Sequence, residues 1–218
     1  MAEFIRARQA AQKDVRRLSI LTAAAELFDE MGPSGAGLNA IAARAGFTKS
    51  NVYRYFENRE DVLLALFLVE LERFCTDASA LTRGCRPGDL GGLAASWADA
   101  LIASPRFCEL VAIFGLVLER NVSVSRIEDV KVAMADHSSR LVGALSERMP
   151  GSSLEDCGWV FSMTMSLLAG MWPGVRPSPA LAEVLAKPRF AHMVLQIDRE
   201  LRRAIDALLS SIVVPRRG

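Results

Sequence analysis

The sequence predicts an all-α protein in two parts, three short N-terminal helices joined without a linker to a longer helical region. Three observations give the all-α class. No sustained run alternates apolar and polar residues with period two, and no Asn-Gly pair sits between alternating segments. Apolar residues recur instead at steps of three and four, the spacing of a helix face. Proline and glycine then cut the chain into pieces of helical length, at Gly32-Pro33, Gly46, Arg86-Pro87-Gly88, Ser104-Pro105, Pro150-Gly151, Pro173 to Pro179 and Lys187-Pro188.

The elements follow in order. Ile20, Leu21, Ala24, Leu27 and Phe28 form one stripe of a first helix, closed by Gly32-Pro33. A short second helix covers 38–45 and stops at Gly46. A third starts after Thr48, a good N-cap, and runs to about Tyr55. Asn58 can cap the fourth, whose first turn holds Glu60 and Asp61, acids that suit the helix dipole. Its continuation, VLLALFLVELERFCTDASAL, carries an apolar band wide enough to bury more than one face, and no linker separates it from the first three. Further helices are predicted near 88–103, 105–119, 124–149, 153–172, 179–186 and 189–212. The domain boundary is set at 60, giving 1–60 and 61–218.

With 218 residues, 51% of them hydrophobic, the chain can bury a substantial core in one domain or two small ones. Its 26 Lys and Arg against 25 Asp and Glu argue neither for nor against a polyanionic partner, so distribution decides. Near the N-terminus Arg6, Arg8, Lys13, Arg16 and Arg17 face only Glu3 and Asp14. Such an arm is ordinarily a solvated end, but it also suits a polyanion. Cys75, Cys85, Cys108 and Cys157 are scattered without a C-x-x-C pair and read as reduced, packed thiols of a cytoplasmic protein. The opening MAEFIRARQAAQKD has no apolar signal-peptide core. The uncharged stretch 157–175 must end its helix near Pro173, too short to span a bilayer comfortably, and reads as a buried helix rather than a membrane span.

Both tyrosines of the chain lie in GFTKSNVYRYFENRE, at Tyr53 and Tyr55, among Lys49, Arg54 and Arg59. At about 100° per residue, Val52 and Phe56 mark a buried side of helix three. Ser50, Asn51 and Arg54 lie opposite, with a phenol on either flank. A major groove admits one helix between two phosphate walls, so small and amide side chains would meet base edges while hydroxyls and cations hold the walls. Each piece alone also fits a half-buried packing tyrosine or a solvated charged face.

Residues 17–63 resemble the N-terminal domain of the tetracycline-repressor (TetR) family. The resemblance rests on RLSILTAAAELFDEMG followed by LNAIAARAGFTKSNVYRYFENREDVL, about a fifth of the chain. It implies a three-helix helix-turn-helix DNA-binding domain joined to a helical ligand-binding and dimerisation domain, a homodimer that binds operator DNA, and a DNA-contacting set of Arg17, Asn39, Thr48, Lys49, Ser50, Asn51, Tyr53, Arg54, Tyr55 and Arg59. Arg59 stands where the family usually has a phosphate-binding lysine. Gly37 replaces a frequent Ser or Thr before helix two, so a hydroxyl contact from there is lost. The resemblance fades after about residue 75.

The second part is read with less help. Helices near 153–172 and 189–212 are the expected dimer pair. In the latter, Val194, Ile197, Leu201, Ile205, Leu208 and Ile212 form a stripe, which a plain core explains almost as well. A cavity for an apolar small molecule is implied by the resemblance. Its candidate lining is Phe67, Leu71, Phe74, Trp97, Phe107, Phe114, Met134, His137, Trp159 and Met163, with Glu109 and Arg120 as further polar groups to check. No cofactor, metal or membrane partner is expected: His137 and His192 lack metal-ligand spacing, and no P-loop, dinucleotide glycine pattern or nucleophile elbow occurs. The competing readings are an all-α enzyme built from scattered carboxylates and a helical dimer that binds a ligand without touching DNA.

Overall fold

The computed structural model describes residues 2–213, with side chains from residue 12 onward; the side chains of Glu3, Arg6 and Arg8 thus lie outside the described set. Ten α-helices occur among the described residues, and no strand: α1 Ala2–Gly35, α2 Leu38–Arg44, α3 Lys49–Val52, α4 Arg59–Gly84, α5 Leu90–Ile102, α6 Pro105–Ile113, α7 Val124–Arg148, α8 Leu154–Met171, α9 Pro179–Leu185 and α10 Ile197–Ser211. A π turn, Phe114–Leu118, prolongs α6, and 3₁₀ turns at Trp172–Gly174 and Pro188–Met193 follow α8 and α9.

Two compact units emerge. The first holds residues up to Val69 together with Phe114–Val130; the second holds Glu70–Ile113 and residues from Lys131 onward. α4 and α7 therefore each contribute residues to both. This division differs from a single cut at residue 60. Segment 114–130 belongs with the N-terminal helices because its polar groups bond the start of α4. The Ser123 hydroxyl donates to Glu57 at 2.8 Å, Asn58 Nδ2 donates to the Asn121 carbonyl, and Arg126 Nε meets Asp61 at 2.5 Å. Asp61 is buried, and its other oxygen accepts the Glu57 amide at 2.9 Å.

In the first unit the predicted α1 stripe is the core. Ile20, Leu21, Ala24, Leu27 and Phe28 are buried with Ile41, Ala42, Val52 and Phe56. The helix begins far earlier than the stripe suggests, because the first thirty-odd residues offer good helix formers and no Gly or Pro before Gly32-Pro33. Gly32, at φ 70°, breaks it where expected, and one short turn follows to Gly35. Arg44 at the end of α2 forks onto Glu30 of α1 at 2.9 and 2.8 Å and reaches Glu26 at 3.3 Å. These bonds hold the Glu30 carboxyl below its usual range and raise the Arg44 guanidinium.

In the second unit α10 packs on α5 and α8, and α6 packs on α5 and α8. Trp97 is 1% exposed and its Nε1 donates to Thr82 Oγ1 at 2.8 Å. Phe74 and Phe107 stack with centroids 4.8 Å apart. α8 opens with a capping box: the Ser153 hydroxyl takes the Asp156 amide while the Asp156 carboxylate accepts from Ser153. That bonding lowers the Asp156 pKa.

Three expectations need correction here. The last helix does not run over 189–212. It starts at Ile197, where Asp198 and Glu200 supply the first-turn acids, so Val194 lies outside it and is exposed while Leu201, Ile205, Leu209 and Ile212 are buried. The helix expected over 105–119 changes pitch at Phe114–Leu118, where the Glu119 amide bonds five residues back to Phe114. The 157–175 stretch buries only one side of α8, at Cys157, Val160, Thr164 and Leu168, and leaves Trp159 and Leu167 exposed. No single helix among the described residues is long and apolar enough to cross a membrane.

Candidate nucleic-acid interface

The interface is built on α2 and α3. Gly37 caps α2 with extended backbone and no side-chain bond. Asn39 follows, exposed. After Gly46, at φ 72°, Thr48 caps α3, its hydroxyl oxygen accepting the Asn51 amide at 3.3 Å. Lys49 and Ser50 are exposed and Asn51 half-buried, while Val52 is fully buried as the single anchor of the helix.

The reading segment is shorter than predicted. Regular helix ends at Val52, Tyr53 is its C-cap, and residues 53–55 form a turn. Tyr53 and Tyr55 therefore do not flank one long helix symmetrically. Tyr53 is 51% exposed with the Lys49 ammonium 5.8 Å from its ring centroid, whereas Tyr55 is half-buried. Arg54 is exposed between them. Arg17 lies with its guanidinium 5.1 Å from the Phe56 ring centroid, which brings α1 beside the end of this segment.

Arg59, expected among the DNA contacts, is engaged within the first unit. Its Nε donates to the Ala36 carbonyl at 3.0 Å, one Nη donates to the Pro33 carbonyl, and the other pairs with Glu60 at 3.2 Å. The guanidinium faces the α1–α2 junction, so its work in this structure is to satisfy carbonyls left open where α1 ends. A lysine could not make this forked contact.

The ten residues expected around a ligand are drawn from both units. Phe67 and Phe114 belong to the first unit, their centroids 4.6 Å apart, and the other eight belong to the second. Leu71, Phe74, Trp97 and Phe107 are buried and Met134, His137 and Met163 half-buried. Trp159 is 44% exposed, on the outer side of α8. Glu109 pairs with Arg176 at 3.6 Å. Among the described residues no group of three His, Cys, Asp or Glu side chains could hold a metal ion.

Comparison with known proteins decides the family. Residues 20–66 match the family model described as bacterial regulatory proteins, tetR family, and residues 68–213, well over half of the chain, match the tetracyclin repressor-like C-terminal domain. The chain belongs to the TetR family of bacterial transcriptional regulators. That family is one of regulators rather than enzymes. A Bacillus subtilis fatty acid metabolism regulator protein is 35% identical over 63 residues, 29% of this chain. The match spans only 32% of that relative's own length. Two solved structures of transcriptional regulators share the fold. The repressor SmeT of a Stenotrophomonas maltophilia multidrug efflux pump is 20% identical with a TM-score of 0.53, covering 92% of this chain and 91% of its own. FadR from Bacillus subtilis, solved with stearoyl-CoA, is 17% identical with a TM-score of 0.51, covering 89% and 98%.

Proposed function

We propose that this TetR-family chain is a homodimeric repressor that binds a two-fold symmetric operator and leaves it when an apolar small molecule binds. The reading segment carries the DNA assignment. Lys49, Ser50, Tyr53 and Arg54 stand exposed on a helix and turn fixed from beneath by Val52 and Phe56, an arrangement suited to one major groove. Lys49, Arg54 and Tyr53 would hold phosphates, and Ser50 and Asn51 would meet base edges. Asn39 and Thr48 lie at the rim. A DNA partner implies a cytoplasmic place of action.

The outer side of α8 supports the dimer. Trp159 is exposed there beside the small Ser162, Ser166 and Gly170, with Leu154 and Leu167 exposed at the two edges, a surface that a second copy could approach closely. Two reading segments would then sit in successive major grooves. The effector assignment is supported by the stearoyl-CoA held by a relative of the same fold and by the bulky apolar residues of the second unit. Release would follow a shift of α4, which starts next to the reading segment and continues into the second unit.

Selection of bound fragments from the source genome tests this reading. The expected result is enrichment of a symmetric sequence bound far better than its scrambled form, with steep salt dependence. Equal binding of both would leave the alternative of a ligand-binding dimer without DNA. For the effector, stearoyl-CoA titrated with and without operator should bind the DNA-bound dimer more weakly, by about 5- to 150-fold if the coupling is of ordinary size. Equal affinity in both titrations rules that compound out as an inducer.

A further inference from the structure

We infer that the N-terminal overhang of α1 is a second DNA-contacting element, a line of cations that follows phosphates beside the reading segment. This rests on the DNA-binding reading above and extends it to Lys13 and Arg6.

The argument starts from one stripe of α1. Inside the first unit, that stripe is Ile20, Ala24, Leu27 and Phe28, each at most 3% exposed. Going backward at helical spacing, it continues through Arg17 and Lys13. The apolar face that packs the unit thus turns cationic at the point where the helix passes beyond the core. Gln12 to Arg16 are all exposed, so this part of α1 has no packing against its own unit. The backbone stays helical back to Ala2, which puts Arg6 at the same angle, seven residues before Lys13. At about 100° per residue, Arg6, Lys13 and Arg17 fall within an arc of about 40° and extend about 16 Å along the axis.

The direction of the line is fixed by Arg17, whose guanidinium lies over the Phe56 ring at the end of the reading segment. The same arc therefore leaves the first unit beside the turn 53–55, which carries the exposed Tyr53 and Arg54. A duplex seated on those residues would bring a phosphate strand, one charge per 3.4 Å of axis, past the overhang. The opposite side of α1 has a different character. Val15 and Leu18 are exposed there and line an open groove of about 350 Å³ with Thr22, Glu26 and Arg44. Two acidic side chains, Glu26 and Glu30, hold Arg44 on that side, so polyanion attraction belongs to the Arg17 side. A helix with a basic line and an apolar line could also lie on an anionic membrane, and the experiment separates the two.

The test measures log affinity against log salt for a duplex enriched from a random-sequence pool by the wild-type protein. Three proteins are compared: wild type, the double variant Arg6→Gln with Lys13→Gln, and Arg8→Gln, which lies about 140° round the helix from Lys13. In a dimer the double variant removes four phosphate contacts. It should reduce the slope by about 3–4 units and weaken binding tenfold or more at low salt. The enriched sequence should stay the same, because phosphates carry no sequence information. Arg8→Gln should keep the wild-type slope, and circular dichroism should show equal helix content in all three. An unchanged slope in the double variant overturns the inference and leaves the reading-segment assignment standing. An equal loss in Arg8→Gln overturns it too, since general charge would then explain the effect. Binding to phosphatidylglycerol-containing vesicles that depends on Arg6 and Lys13, with no change on DNA, assigns the overhang to a membrane and overturns it. Failure of the wild type to enrich any duplex overturns both this inference and the DNA-binding reading.

Discussion

Residues 49–55 and the ten bulky residues proposed around a ligand stand in opposite relations to their surroundings. In the first group one short element exposes Lys49, Ser50, Tyr53 and Arg54, and Val52 with the adjoining Phe56 holds it. In the second group the aromatic rings mostly face one another, as Phe74 does Phe107 and Phe67 does Phe114. A surface that meets a polyanion differs chemically from the core, so its residues stand out in the sequence. A surface that meets an apolar molecule is made of the same residues as the core, and only three-dimensional packing separates the two.

Substitutions can sharpen this contrast. The largest effect is expected in the second unit. Trp97→Ala should cost about 3–5 kcal/mol of stability, through lost packing and an orphaned Thr82 hydroxyl, and lower the thermal midpoint without altering which duplex is enriched. If Trp97→Ala instead left stability intact and abolished effector response, the ring would belong to a ligand site. Next is Arg59→Ala, which should cost about 2 kcal/mol by freeing two carbonyls and leave the salt slope of DNA binding unchanged. A slope lower by about one unit per copy would return Arg59 to the phosphate contacts.

Effects on the reading segment should be smaller and of another kind. Asn51→Ala is expected to change base preference at one position of each half-site, a discrimination of about 1–3 kcal/mol, seen by repeating the enrichment. Tyr53→Phe should weaken all sequences alike by about 1 kcal/mol. The smallest change concerns the thiols. Burial pushes Cys75 and Cys108 up to about 12 and raises Cys157 as well, whereas Cys85 is half-exposed. Iodoacetamide at mildly alkaline pH should therefore modify Cys85 alone in the folded protein, without loss of DNA binding. Rapid modification of several thiols would contradict the packing of the second unit.

Much of the fold was legible because its signals are local. Proline and glycine place α5, α7, α8 and α9 within one or two residues, and the Ile20–Phe28 stripe is the observed core of α1. What was not legible depends on distant atoms. Arg59 looks like a surface cation until the carbonyls of Pro33 and Ala36, more than twenty residues earlier, come within reach. Segment 114–130 joins the first unit through Asp61 and Glu57, more than sixty residues away, and no periodicity encodes that. The start of α10 was misplaced for a different reason. Lys187-Pro188 is the last strong break in the sequence and sets the expected start at 189, whereas the acids Asp198 and Glu200 mark the true first turn. The candidate interface follows the same rule. The Thr48 cap and the outward Lys49 and Ser50 were readable from the cap and wheel, but the early end of α3 at Val52 was not, because Tyr53 and Arg54 have no strong stop signal.

The aromatic residues divide between the two units in a way that reaches beyond binding. Both tyrosines of the chain, Tyr53 and Tyr55, lie in the reading segment, and all three tryptophans, Trp97, Trp159 and Trp172, lie in the second unit. Of the three indoles, Trp97 and Trp172 are buried and Trp159 is 44% exposed on α8. The protein thus carries two separate reporters. Excitation where only indole absorbs watches the second unit, and its quenching by a water-soluble agent follows Trp159. Nitration of exposed phenols, read at visible wavelengths where neither indole nor duplex absorbs, follows the reading segment. Dilution through dimer dissociation should increase indole quenching and leave phenol nitration steady, whereas adding duplex should protect the phenols. The two readings can then tell association of two copies from occupation of DNA.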